Sequence, residues 1–209
     1  RITIDIDDPA TNIAMSESQA VLYNTTHLDV RDIVRIDLDT QVATEYVASN
    51  PVHSLQLTPE GDYAVAMLKP ESTYEYDGGG LDQYQDNHWG IAVVDLQTDN
   101  IVSLVLESKP VGMEVIQRDD ASFALLLLEG VESLIQIDLS APGNYSEIEL
   151  PAAPAGIDSS PAGNFTISHT SALGQVSFLD PATGDISTTK GFATSGMFNE
   201  NILPRQDKE

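Results

Sequence analysis

The sequence predicts an all-β protein assembled from repeated units of four short antiparallel strands, and three observations lead there. An apolar run ending in Asp and followed by a small turn recurs four times, as Val34-Arg35-Ile36-Asp37, Ala92-Val93-Val94-Asp95, Ile135-Gln136-Ile137-Asp138 and Ser177-Phe178-Leu179-Asp180. The Asp residues are spaced 58, 43 and 42 apart, and Pro9, Pro51, Pro110 and Pro154, each ahead of an apolar stretch, keep step at 42, 59 and 44. One insertion, roughly Pro70 to Trp89, accounts for the long interval in both series, and without it the period is the about 40–45 residues of a four-stranded repeat. Finally, the apolar runs are short and are separated by Gly, Pro, Asp, Asn and Ser clusters, the punctuation of strands rather than helices.

Taken in order, Ile2 to Asp7 reads as the last strand of a preceding unit. The second unit is the clearest: Val52 to Leu57, the turn Thr58-Pro59-Glu60-Gly61-Asp62, Tyr63 to Leu68, the insertion, Ile91 to Leu96, the turn Gln97-Thr98-Asp99-Asn100, then Ile101 to Leu106. In the third, Phe123-Ala124-Leu125-Leu126-Leu127-Leu128 is continuous rather than alternating, as a strand covered on both sides should be, and is far too short to cross a membrane. The fourth has Ala155 to Ser159, Phe165 to His169, Val176 to Asp180, the turn Pro181-Ala182-Thr183-Gly184-Asp185 and Ile186 to Lys190, with Pro presetting φ and Gly tolerating a positive one. No helix is needed. Thr194 to Asn199 reads as the first strand of a following unit, and the stretch 199–209 as a polar tail.

Meanders of this length in series suit a β-propeller, whose blades bury both faces against their neighbours. The expected architecture is therefore one propeller domain over 1–198, with about four complete blades and partial blades at both ends. Such an array is expected to be a segment of a larger propeller, or to close its ring with the rest of the same polypeptide or with a second copy.

Phe178-Leu179-Asp180-Pro181-Ala182-Thr183-Gly184-Asp185, together with Pro51 to Gly61, resembles the repeats of the YVTN-type propellers, which are WD40-like in architecture. The Tyr-Val-Thr-Asn tetrad itself is replaced by Tyr63-Ala64-Val65-Ala66, Phe123-Ala124-Leu125-Leu126 and Phe165-Thr166-Ile167-Ser168. The resemblance implies a fold and not a reaction. It also implies an extracytoplasmic setting, periplasmic, cell-surface or secreted, because such propellers resemble cell-envelope proteins.

Acidic side chains number 33 against 9 basic ones, a formal charge of −24. Phosphate binding needs clustered Lys and Arg, so nucleic acid is not an expected partner, and anionic membrane surfaces are disfavoured for the same reason. The acidity also keeps such a protein soluble. The chain has no Cys, hence no disulfide framework, thiolate nucleophile or thiolate metal site. Asn24-Thr25-Thr26, Asn144-Tyr145-Ser146 and Asn164-Phe165-Thr166 match the N-glycosylation pattern.

The insertion, residues 70–89, is the leading functional candidate. It lies between the second and third strands of its blade, on the face shared by loops after strands two and four, and long loops on rigid scaffolds often carry binding. It holds Tyr74, Tyr76, Tyr84 and Trp89, four of the chain's thirteen aromatic residues, with His88 beside them. Aromatics in a loop need a surface to cover, whether a protein partner, a glycan or the chain's own blade. Asp77, Asp82 and Asp86, with the intervening glycines, supply oxygen ligands on a pliant backbone, a candidate calcium site that lacks the EF-hand spacing. His88 with His27 or His169 is a lesser candidate for a transition metal.

His53, early in an innermost strand, is expected to be a hydrogen-bonded structural histidine. The repeated Asp37, Asp95, Asp138 and Asp180 are expected to cap turns. Asp119-Asp120 falls in an exposed turn, a poor setting for acid/base work. Neither a nucleophile elbow, a phosphate-binding Gly-rich loop nor a His-Glu-Xaa-Xaa-His pair is present. The expected function is thus a non-catalytic binding or scaffold module. A propeller enzyme of the lactonase or quinoprotein-dehydrogenase type and a calcium-stabilised structural domain are the alternatives.

Overall fold

The computed structural model describes residues 9–71, 80–118, 121–159, 165–170, 174–180 and 183–191, with backbone alone at 81–83 and 118. The predicted strands at Ile2–Asp7 and Thr194–Asn199, the tail 199–209 and the Asp119-Asp120 turn lie outside the described residues.

Four antiparallel sheets follow one another, each made of four strands in sequence order. Blade 1 contains β1 (Asn12–Met15), β2 (Gln19–Tyr23), β3 (Asp32–Asp37) and β4 (Ala43–Val47). Blade 2 contains β5 (Val52–Leu57), β6 (Tyr63–Leu68), β7 (Gly90–Asp95) and β8 (Asn100–Val105). Blade 3 contains β9 (Pro110–Arg118), β10 (Ala121–Leu128), β11 (Ser133–Asp138) and β12 (Tyr145–Glu149). Blade 4 contains β13 (Pro154–Ser159), β14 (Phe165–His169), β15 (Val176–Leu179) and β16 (Ile186–Thr189). The insertion carries a short helix, α1 (Leu81–Asp86), which the sequence reading had not required.

The first strands of successive blades approach one another, β1 to β5, β5 to β9 and β9 to β13, so the blades radiate from an inner edge. Gln56 of β5 bridges two of them, its amide donating to the Met113 carbonyl at 2.9 Å while its oxygen accepts from the Val115 N–H at 3.1 Å. Gly112 lets β9 and β13 approach closely, since a Cβ there would lie 2.8 Å from Ile157 Cγ2. Among the described residues the sheets do not close into a ring.

Side-chain alternation along each central strand explains why the runs are apolar throughout. Ala64, Ala66 and Leu68 of β6 enter the core between blades 1 and 2, whereas Val65 faces the core between blades 2 and 3. The same division sends Ala124, Leu126 and Leu128 of β10 to the second core and Leu125 and Leu127 to the third. Leu125 to Leu128 are each at most 1% exposed, as a strand buried on both faces requires.

Blade 1 keeps the same pattern on the face turned away from blade 2. Ile13, Leu22 and Val34 stand in one cross-strand row and Met15, Ala20 and Ile36 in the next, with Ile13 55% and Met15 63% exposed.

Asp37, Asp95 and Asp138 act as the turn caps expected of them. Asp37 Oδ1 accepts from the backbone N–H groups of Asp39 and Thr40, Asp95 Oδ1 from Gln97 and Thr98, and Asp138 Oδ1 from Ser140, all within 3.1 Å. Four residues beyond each Asp, Gln41, Asp99 and Gly184 all adopt positive φ, so blades 1, 2 and 4 share one turn geometry. Blade 3 departs from it: Asp138 N–H reaches Asn144, one residue further along, and Pro142 stands at the equivalent place.

Candidate functional site

A recurrent bulge shapes the rim on the insertion side. The β5–β6, β9–β10 and β13–β14 ladders each skip one residue of the inner strand, namely His53, Val111 and Ala155. A bulged residue escapes the alternation and is re-aimed. His53 consequently lies exposed, edge-on to Trp89 with ring centroids 5.5 Å apart. Partial burial, then the nearby charges of Lys69 and Lys109, hold its imidazole below the ordinary range. His53 is therefore a rim residue and not the hydrogen-bonded structural histidine expected.

That role belongs to His169, which is buried. Its Nδ1 lies 2.9 Å from the Ala152 carbonyl and its Nε2 2.7 Å from Ser177 Oγ, and Ser177 continues the chain to Thr188 at 2.8 Å. Nε2 thereby ties β14 to β15 and β16 through Ser177, while Nδ1 holds β14 to the β12–β13 connection.

Trp89 directly precedes β7 and is half-buried, packed against the core between blades 2 and 3, with Lys109 Nζ 5.9 Å from its ring centroid. Tyr84, 37% exposed, stacks on His88 at 4.0 Å, and His88 Nδ1 lies 2.6 Å from the Tyr84 carbonyl, so these two form one unit at the end of α1. Of the predicted site residues, Tyr84, His88 and Trp89 thus lie in one eleven-residue segment, 80–90, on this side of the blade. Tyr74, Tyr76 and Asp77 fall outside the described residues, as does the side chain of Asp82.

α1 is less than two turns long, without a side-chain N-cap, and its own hydrogen bonds cannot sustain it. Docking does. Asn50 donates to the Gln85 carbonyl at 2.8 Å and Glu71 N–H to the Asp86 carbonyl at 2.8 Å. Arg31 pairs with Glu71, approaches Asp86 at 3.7 Å and donates to the Ser49 carbonyl. Lys69 reaches across to the Thr25 carbonyl at 2.7 Å. These partners occupy the β2–β3 and β4–β5 connections of blade 1, which places the insertion on the face where the strand order predicted it.

Asp86 faces Arg31, and among the described residues no three His, Asp or Glu side chains gather as a metal would need. Asn24, the first glycosylation-pattern residue, is 1% exposed and caps its loop, accepting from Thr26 and His27 N–H and donating to the Pro9 carbonyl at 2.5 Å, so its amide does not reach solvent.

Two features escaped the sequence reading. Lys69, Lys109 and Arg31 share one face of a strongly acidic chain although they are far apart in sequence; the bulge and strand ends bring Lys69 and Lys109 to His53 and Trp89, while Arg31 holds Glu71 and Asp86. Glu114 on β9 and Asp158 on β13 sit on neighbouring inner strands, where burial and then the Asp158 charge push the Glu114 carboxyl up. No local pattern announces a carboxyl pair split between two blades.

No known protein-family profile and no curated protein sequence matches this chain. Solved structures do. An eukaryotic initiation factor superposes with a TM-score of 0.58 at 17% identity, covering 90% of this chain and 46% of its own. U3-55K gives 0.51 at 10%, covering 82% and 48%. A nidogen/laminin complex gives 0.48 at 12%, covering 84% and 61%. The fold is a β-propeller. The chain spans only about half the length of the first two propellers, and at these identities the likeness extends to architecture alone. Among the described residues no helix is long and apolar enough to cross a membrane, which says nothing about membrane β-barrels.

Proposed function

We propose that this chain is a propeller binding module of the YVTN-like kind, in a secreted or cell-envelope protein, and that it engages a protein or glycan on the face carrying residues 70–89. The observation that carries the reading is the grouping of Trp89, His53, Lys69 and Lys109 on one rim of a chain whose formal charge is −24. Aromatic faces with a few cationic donors suit both sugar rings and peptide side chains, and a fixed inner-strand frame keeps them aligned. The Tyr84–His88 stack extends the same surface, with Tyr74 and Tyr76 in the adjoining stretch of the insertion.

The test compares capture by immobilised protein and oligosaccharide panels for the parent chain and for Tyr84→Ser with Lys109→Glu. Trp89 is left intact because its ring supports the core between blades 2 and 3. Loss of a ligand that the parent retains, with the melting temperature unchanged, is the expected result. Equal retention of every ligand by parent and variant refutes the reading.

The carboxylates Asp77, Asp82 and Asp86 belong to the same proposal as an accessory calcium locus. A ligand bound only by the folded chain raises its melting temperature. Melts with added calcium and with chelator that superimpose remove that part alone.

A further inference from the structure

The seam between blades 1 and 2 and the seam between blades 2 and 3 are built on the same register, yet they are filled differently. In the first, Tyr46 stands nine residues after Asp37, opposite Ile33, and its buried ring closes the outer end of the seam. Its hydroxyl donates to Asp99 Oδ1 at 2.6 Å, and Arg35 Nη1 reaches the same oxygen at 2.9 Å and the Leu96 carbonyl at 2.5 Å. An aromatic ring and a guanidinium therefore plug this seam together.

In the second seam the equivalent positions are Leu104, nine residues after Asp95 and opposite Ile91, and Val93, two residues before it. Where Asp99 stood is the Pro142-Gly143 stretch of the longer blade 3 turn. Ring and guanidinium are both missing, and a cavity of about 280 Å³ remains, bordered by Leu104, Pro142 and Gly143. Its floor is Leu126, Leu128, Ile135 and Ile137. Its mouth carries Tyr145, 63% exposed, and the exposed Glu107 and Glu147. An apolar cavity of about 150 Å³ already accommodates benzene, so a ring with a short chain attached fits here.

We propose that this seam is a binding site for a small aromatic cation of the arylalkylamine class. The ring occupies the space that Tyr46 fills one blade earlier, and the ammonium group lies between Glu107 and Glu147 with Tyr145 beside it. The first seam supplies the template for a ring and a positive charge side by side. The two glutamates and the overall negative charge select the sign. The site uses no residue of the insertion and stands independently of the function proposed above.

The experiment titrates tyramine into the whole chain, followed by amide NMR shifts and calorimetry. p-Cresol serves as the ring without charge and 3-(4-hydroxyphenyl)propionate as the ring with the wrong one. Saturable one-to-one binding of tyramine is expected, with p-cresol weaker by about tenfold and the propionate without effect. Leu104→Tyr should refill the seam, abolish tyramine binding and raise the melting temperature. Glu107→Gln with Glu147→Gln, both at the surface, should reduce tyramine to the affinity of p-cresol. The proposal is overturned if the parent shows no saturable binding, if a cooperatively melting Leu104→Tyr variant binds as the parent does, or if the double Gln variant discriminates as before.

Discussion

At the scale of single residues, the clearest division is between groups whose partners are near in sequence and groups whose partners lie in another blade. Asp37 is held below the usual carboxylate range by the backbone and side chain of Thr40 first of all. Asp95 is pushed up by burial but pulled further down by Thr98 and Gln97, with a lowered value as the net result. A depressed carboxyl stabilises the fold above its unfolded pKa of about 3.9 and loses that contribution as pH falls through the folded value. Asp95→Ala should cost about 1 kcal/mol in denaturant unfolding at neutral pH, and the difference from the parent should shrink in acid. Glu114 has the opposite sign. Its folded carboxyl is raised, so the native state holds the proton more tightly and stability falls as pH rises from the unfolded pKa through the folded one. Glu114→Gln is expected to raise the neutral-pH unfolding midpoint, with the gain vanishing below about pH 4; a destabilised variant at neutral pH would contradict this account. The Asp caps could be read from the chain because their donors follow within three residues. Tyr46, pushed up to about 12 by burial and then by Asp99, could not, for Asp99 lies 53 positions away in the next blade.

At the scale of elements, strands were legible and their exceptions were not. The four blades follow from the spacing of apolar runs and turn residues, and the Phe123–Leu128 run declared a strand buried on both faces. The bulged residues do not announce themselves, because His53, Val111 and Ala155 differ in size and polarity, although each follows an in-step proline by one or two residues. α1 escaped as well: it is less than two turns long, held by Asn50 and Glu71 from outside, and neither apolar periodicity nor a capping residue marks it. Gly112 looks like any strand glycine until β13 is set against it. Gly112→Ala would force its Cβ onto Ile157, and such overpacking costs about 1–3 kcal/mol. Chemical denaturation should show the loss, together with faster amide exchange along β9 and β13 than along β2 and β3.

The whole molecule joins apolar seams to a heavily acidic exterior. The seams are slabs of Leu, Ile, Val and Ala, and inter-blade hydrogen bonds reinforce the first two, through the Arg35–Asp99–Tyr46 cluster and through Gln56. The formal charge of −24 opposes compaction by self-repulsion, and salt screens it, the Debye length shrinking from about 30 Å at 0.01 M to about 8 Å at 0.15 M. The melting temperature should therefore rise over that interval of sodium chloride, and a flat profile would show that charge is not what limits stability. Composition announced this term directly. What it could not announce was the segregation of Lys69, Lys109 and Arg31 to one rim, a consequence of where three strand ends meet. The bulges at that rim carry a wider implication. His53 and Ala155 stand outside their ladders and are exposed, so exchanging either shifts no strand pairing and empties no seam, and recognition at this lip can change one side chain at a time; Val111 is also outside its ladder but packs against the core between blades 3 and 4.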